Sequence, residues 1–440
     1  MRRPAMPHAS GKPEQAKPHI RSAAWLIALG AAVGLFGARA VAAPPAVDAT
    51  TLRGKVMCGY QGWFRCPGDA ADMGWVHWSR ERKRIAPGTL TFEMWPDLRE
   101  FPPGERYPAP GFTDPDGRAA ELFSSDCAAT VLRHFQWMRD YGIDGAWLQR
   151  FVVGLPGGVA ESSYPSTLRV LHQVADAAVE TGRAWALSYD TAATPTGRTY
   201  DALTADWKRL VDGKLTDHPR YLHHAGLPVV QIWGFYWQNA HDPMTAELAA
   251  RLIDFFKAPG PYRAFLVGGG DWNWRRNPDP AWAAIYRRFD AYCPWNVGNY
   301  GIDARGERHA ALNTWADDQR ECAQRGVLWI PVVYPGFGWD NLMRKPPGST
   351  QIPRRGGRFL WEQLHAAARM HAGSVYVAMF DEVDEGTAIF KVTSTPPKEA
   401  HFVGYEGLPS DWYLRLVGEG ARMLRGERPL TELMPVAAGR

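Results

Sequence analysis

The chain is expected to fold as a single α/β domain, a (β/α)8 TIM barrel with a long loop inserted after its first strand. Three observations predict it. Eight apolar, β-rich runs alternate with eight amphipathic, helix-prone stretches, the count such a barrel requires. The strand runs are apolar throughout, as expected of strands buried on both faces. No low-complexity linker, composition break or short internal repeat divides the chain after residue 50.

The strand runs span residues 55–64, 143–151, 183–190, 227–235, 262–270, 292–299, 327–334 and 374–382. Helical spacing puts Val131, Phe135 and Met138 on one face of 128–141, and Leu171, Val174 and Ala178 on one face of 167–180. In 246–257 the apolar face is Leu248, Leu252 and Phe255–Phe256. The remaining helical stretches are 205–212, 280–290, 308–324, 359–371 and 411–425. Gly142, Gly182, Gly326 and Gly373 close four of them, where a left-handed residue stops a helix. A doubly wound open sheet is the architectural alternative, but no Gly-x-Gly-x-x-Gly follows the first strand. Gly268-Gly269-Gly270 comes at the fifth strand and reads as a loop. Residues 65–127, rich in Pro and Trp, form the insertion over the barrel mouth.

The first 42 residues read as a leader. Residues 23–38 are an uncharged apolar run after Arg21, followed by Ala38-Arg39-Ala40 and Ala40-Val41-Ala42. Charged n-region, short h-region and small-residue cleavage site are the order of a signal peptide. The run is shorter than a ~20-residue membrane span, so the domain is expected as 43–440, periplasmic or secreted, with no stable membrane partner after cleavage. The alternative is an uncleaved N-terminal anchor. The leader also holds the positive charge: six Lys/Arg against Glu14 leave 44 bases and 45 acids in the body. A nearly neutral body excludes nucleic acid binding by bulk electrostatics. The five cysteines, Cys58, Cys66, Cys127, Cys293 and Cys322, show no metal spacing, and in an exported chain leave room for one or two bridges.

Chemistry in such a barrel sits at the C-terminal ends of its strands. These ends bring Tyr60, Trp63, Gln149, Arg150, Tyr189, Asp190, Trp233, Trp272 and Tyr334, a ring or an amide or charged group at each. Tryptophan occurs 20 times, more often than Phe or Tyr, and flat aromatic faces stack on sugar rings while amides and acids bind hydroxyls. These residues, with Asp384, are the expected substrate contacts. After the eighth run, Asp381-Glu382-Val383-Asp384-Glu385 packs four acids into five positions. Carboxylates held close cannot all ionise freely, so one becomes a proton donor, as glycosidic cleavage requires. Ser124-Ser125-Asp126 reads as a helix N-cap, and Glu93 and Asp97 flank Trp95 in a candidate lid. No His-Glu-x-x-His or Gly-x-Ser-x-Gly is present, and no metal or organic cofactor is expected.

Glu382-Val383-Asp384-Glu385-Gly386-Thr387 resembles the Glu-Trp-His-Glu-Gly-Thr motif of glycoside hydrolase family 99, the endo-α-mannosidases, and of the wider 71/99-like group of bacterial glycosidase and xylosidase/arabinosidase proteins. Tyr60–Phe64, Glu93–Asp97, Ser124–Asp126, Gly142–Gly145, Leu148–Phe151 and Val332–Phe337 are similar too, in the same order. The resemblance implies a retaining, endo-acting hydrolase of an α-linked oligo- or polysaccharide. It makes Glu382 the base assisting the sugar's own 2-hydroxyl and Glu385 the acid. The family's Trp and His, which touch substrate, are Val383 and Asp384 here, so the resemblance does not carry mannose specificity. A glycan-binding barrel without catalysis is the alternative.

Intact mass of exported material is expected to place the mature N-terminus near Val41–Pro44. A membrane-bound species retaining Met1–Arg21 would contradict the leader.

Overall fold

The computed structural model describes residues 46–236 and 244–435; the leader of residues 1–42 lies outside them. Nine strand segments build the central sheet: β1 (Lys55–Tyr60), β2 (Gly145–Phe151), β3 (Ala184–Asp190), β4 (Leu227–Phe235), β5 (Phe265–Gly270), β6 (Ala291–Pro294), β7 (Leu328–Trp329), β8 (Val332–Val333) and β9 (Ser374–Val377). They pair in parallel in the order β7-β6-β5-β4-β3-β2-β1-β9-β8. β7 and β8 are two halves of one segment, yet they lie at opposite ends of this path. Between them Ile330 N–H donates to Tyr292 O and Tyr376 N–H to Pro331 O, each at 3.0 Å. The interrupted seventh stave therefore closes the sheet into a ring. Pro331 has no N–H for a ladder, which is why the stave breaks there.

Helices α1 (Ala128–Asp140), α2 (Tyr164–Thr181), α3 (Thr196–Asp212), α4 (Ala246–Lys257), α5 (Pro280–Ile285), α6 (Trp315–Arg325), α7 (Arg358–Arg369) and α8 (Trp412–Leu424) alternate with the staves. Two expectations change. Residues 308–310 are not helical: Tyr300–Ile302 and Arg308–Ala310 form an antiparallel hairpin, because Asp303 Oδ1 accepts Glu307 N–H and Gly306 N–H closes the turn on Asp303 O. Gly268–Gly270 is no loop but the end of β5, paired on both sides. The insertion packs Trp78, Phe92 and Phe123 into an aromatic cluster with Phe64, and includes a hairpin of Tyr107–Thr113 and Ala119–Leu122. All five cysteines are free thiols, so the described domain holds together without bridges.

Period-two alternation decides which strand-end residues face the barrel interior. Trp147 and Gln149 of β2 face inward, the ring stacked on Tyr376 and the amide donating to Tyr376 Oη at 2.8 Å. Ser188 of β3 meets Gln231 of β4. At Gly59 of β1 an added Cβ would lie 2.3 Å from Met379 Sδ and 2.4 Å from Tyr376 Oη, so only glycine lets these side chains cross the interior.

Four expected substrate contacts fall outside the mouth. Tyr60, next to Gly59, points outward and hydrogen-bonds His134 of α1 at 2.9 Å. Arg150 and Tyr189, cross-strand partners, point outward onto Asp206 of α3: Arg150 donates at 2.5 and 2.7 Å and Tyr189 Oη at 2.7 Å. Tyr334 is fully buried against Phe359 of α7 and donates to Asn299 O at 2.6 Å. These four side chains join sheet to helix or loop. Ser124–Asp126 also differs from expectation: α1 has no side-chain N-cap, Ser124 Oγ bonds Asp69, and Asp126 pairs with Arg169.

Asp206 is buried, so truncating it strands the buried Arg150 charge. Asp206→Ala is expected to lose about 3–5 kcal/mol, read by urea or thermal unfolding. The double variant Arg150→Met/Asp206→Leu, which removes both charges, should lose less.

Candidate active site

The mouth is built on the loop after β9. Asp381 is fully buried and accepts two backbone N–H groups, from Gln61 at 2.7 Å and Gly62 at 3.0 Å. This clamps the end of β1 to the acid loop. With its backbone fixed, Gln61 donates its side-chain amide to Glu382 Oε2 at 2.6 Å. Glu382 Oε1 accepts the Asp384 N–H at 2.8 Å, so both oxygens of this buried carboxylate have donors. Gly386 follows at φ +62°, where glycine turns the chain without strain, and Arg354 holds the turn by donating to the Gly386 and Ala388 carbonyls at 2.6 and 2.9 Å. Glu385 is half-buried, its carbonyl bound by Gly338 N–H. Among the described residues no donor meets its carboxylate, which forms part of the wall of a cavity of about 450 Å³.

The electrostatics follow from burial. Burial pushes Asp381 up to about 6, against its two N–H bonds. Glu382 is pushed well above the carboxylate range, first by burial and then by the charges of Glu385 and Asp381. Asp384 rises well above its ordinary value for the same reasons, with Glu382, Glu385 and Glu93 as its charged neighbours. Burial raises Glu385 to about 7. Asp190, at the end of β3, is raised to about 7 by burial and feels Glu385 across the mouth. Burial thus raises the proton affinity of every acid at the mouth.

Besides Gln61, three residues outside the expected set of contacts complete the site. His77, on the insertion, hydrogen-bonds Asp384 Oδ2 at 2.8 Å and stacks on Trp63 at 3.7 Å between centroids, an 8° tilt; burial depresses it to about 3, favouring the neutral ring. Glu93 is buried beneath the acid loop, its N–H donating to Val383 O at 2.7 Å. Trp295, after β6, sits edge-on to Trp233 at 5.8 Å and to Tyr376 at 5.6 Å. Only Glu93 carries a sequence signal, through the segment it shares with Trp95. Trp95 itself is buried among Phe92, Phe112 and Phe402, a packing residue rather than a lid platform.

Of the expected contacts, Trp63, Gln149, Asp190, Trp233 and Asp384 converge with the two glutamates at the mouth, while Trp272 is 36% exposed on the loop after β5 and, among the described residues, makes no ring contact or side-chain hydrogen bond to the acids. Trp63 Nε1, Trp233 Nε1, Gln61 Oε1 and Asp384 Oδ1 are buried without a partner among the described residues. Among the described residues one His/Asp/Glu set brings ligand atoms together, Asp303, Glu307 and His309 of the hairpin; its members already pair with each other and with Arg355 and Glu362. Among the described residues no helix is long and apolar enough to cross a membrane.

The fold and mouth together define the class: a closed parallel α/β barrel with acids and aromatic rings at the C-terminal ends of its staves. Among solved structures the chain is similar to the GH99 endo-alpha-mannosidase from Bacteroides thetaiotaomicron in complex with bis-tris-propane. The TM-score is 0.62 at 17% identity, over 86% of this chain and 99% of that one. A second structure of the same enzyme gives 0.62 at 16% identity over the same shares. A glycoside hydrolase-like protein gives 0.50 at 13%, over 86% and 96%. No protein-family model matches the chain, and no curated protein matches it significantly. The fold is thus shared along nearly the whole length of these structures.

Glu93 is raised to about 7, chiefly by burial. A carboxyl raised in the folded state holds its proton there more tightly than when unfolded, so its ionisation costs stability as pH rises from about 4.5 through 7. Glu93→Gln removes that cost while keeping an acceptor for Asn341 N–H. The Tm difference between variant and wild type is therefore expected to grow in the variant's favour from pH 5 to pH 8, by up to about 3 kcal/mol of stability. A pH-independent difference would show that Glu93 is not a buried ionising acid.

Proposed function

We propose that the protein is an exported glycoside hydrolase that cleaves an α-linked glycan with retention and within the chain, using Glu382 and Glu385. The observation that carries this reading is the pair itself: Glu382 is gripped by two N–H donors while Glu385, three residues on, faces an open cavity without a donor. The unpartnered indole, amide and carboxylate atoms around them suit sugar hydroxyls, and the neighbours named for glycoside hydrolases support the class.

Glu385 donates a proton to the departing glycosidic oxygen. Glu382 takes the proton of the 2-hydroxyl on the same sugar, whose oxygen attacks its own anomeric carbon as the glycosidic bond breaks. Water then opens the anhydro sugar, losing a proton to Glu385 while Glu382 returns its own to O2. Two inversions give net retention. Burial favours a protonated Glu382 in the resting protein, whereas its two donors favour the carboxylate; Glu385 has only burial to hold its proton. The second reading, a glycan-binding barrel without catalysis, is favoured by Asp384 being engaged with His77 and Val383 being fully buried.

Glu385→Gln is expected to slow natural glycans by ~10²–10⁴-fold, and much less for glycosyl fluorides, whose leaving group needs no proton. Glu382→Gln should impair both. The wild-type kcat/KM profile should fall above pH about 7 as Glu385 ionises, and E385Q should lose that limb. Retained anomeric configuration by proton NMR is expected. Binding of α-glycans with no turnover of any would support the second reading.

A further inference from the structure

We propose that the cavity beside Glu385 takes an anionic sugar unit, whose carboxylate or sulfate pairs with Arg308. The proposal rests on the glycosidase reading above and names its substrate class. Trp295, Phe337 and Trp339 supply aromatic faces to this cavity of about 450 Å³, Ser349 and Thr350 line it too, and Glu385 closes one side. Its dimensions lie in the range of ligand sites. Arg308 is the one cationic residue of the lining.

What sets Arg308 apart is how it is held. Its guanidinium lies 4.8 Å over the Tyr300 ring, and Nη1 donates to the Gln351 carbonyl. Both contacts orient the group and neither neutralises it. Acids are near on the same hairpin, but they are taken: Glu307 pairs with Arg355 at 3.2 Å, Glu362 with Arg355 at 2.8 Å, and Asp303 with His309 at 3.2 Å. Among the described residues Arg308 makes no ion pair, and its Nε and Nη2 have no acceptor. A planar fork fixed in place with its charge unspent, half-buried at a cavity wall, is preorganised for a planar or tetrahedral oxyanion. The hairpin that carries it, Tyr300–Ala310, interrupts the β/α alternation between β6 and α6, so this cation is an addition to the barrel rather than part of its core.

The test uses sets of α-linked oligosaccharides with one unit presented as a hexuronate, as its carboxyl-reduced hexose, or as the 6-sulfated hexose. Turnover is measured on wild type, and calorimetric binding on E385Q. At low ionic strength at least one anionic form is expected to exceed its neutral counterpart by at least ~10-fold in kcat/KM or affinity, and the uronate and sulfate arms identify which anion. The ratio should shrink at about 0.5 M salt, fall to about one in Arg308→Gln, and be partly kept by Arg308→Lys. Circular dichroism and Tm check that both variants fold. A wild-type ratio of one or less, with Glu385-dependent turnover of neutral glycans, overturns the anionic sugar and leaves the glycosidase reading standing. An Arg308-dependent anionic preference in binding without turnover supports the cavity assignment and removes the glycosidase. Absence of both binding and turnover overturns both.

Discussion

The Asp381 carboxylate, accepting the backbone N–H groups of Gln61 and Gly62, is the interaction on which the mouth depends. It joins the first stave to the loop after the last, two elements that parallel pairing of β1 with β9 holds side by side. Gln61 can then reach Glu382, and the turn to Glu385 starts from a fixed point. A carboxylate with two N–H donors is held more firmly than a neutral acceptor would be. The clamp spans 320 residues of sequence, and the pairing of β1 with β9 brings its ends together.

A mouth lined with five acids is costly unless most of the charge is removed. Burial raises the proton affinity of Asp381, Glu382, Asp384, Glu385 and Glu93, which disfavours ionising all of them at once. Neighbouring charge adds to burial at Glu382 and Asp384, while burial alone raises Asp381 and Glu385. Glu385, half-buried and without a donor, is free to exchange its proton with a ligand. Glu382, buried and gripped, is not free to move. His77 adds a neutral ring on Asp384 and a stacked partner for Trp63, tying the insertion to the acids it covers.

Similarity in fold to the GH99 enzyme runs over most of both chains at 17% identity, a level at which backbone architecture persists while side chains diverge. Between the two glutamates stand a buried Val383 and an Asp384 engaged by the insertion, and the hairpin before α6 brings Arg308 to the cavity.

The sequence by itself determined the stave and helix count, because apolar runs and helical stripes are local patterns that burial on both faces of a parallel sheet enforces. It also located the acid loop, since four acids directly after an apolar strand leave few structural alternatives. It did not determine which strand-end residues face the ligand. Tyr60, Arg150 and Tyr189 occupy strand ends as Gln149 and Asp190 do, and one step of the two-residue alternation sends them to α1 and α3 instead. Nor could local pattern reveal His77, 307 positions from the Asp384 it meets, or a hairpin in which residues 308–310 pair as strand. Facing and long-range pairing are set by ring closure and by what packs against each face, and those exist only in the folded chain.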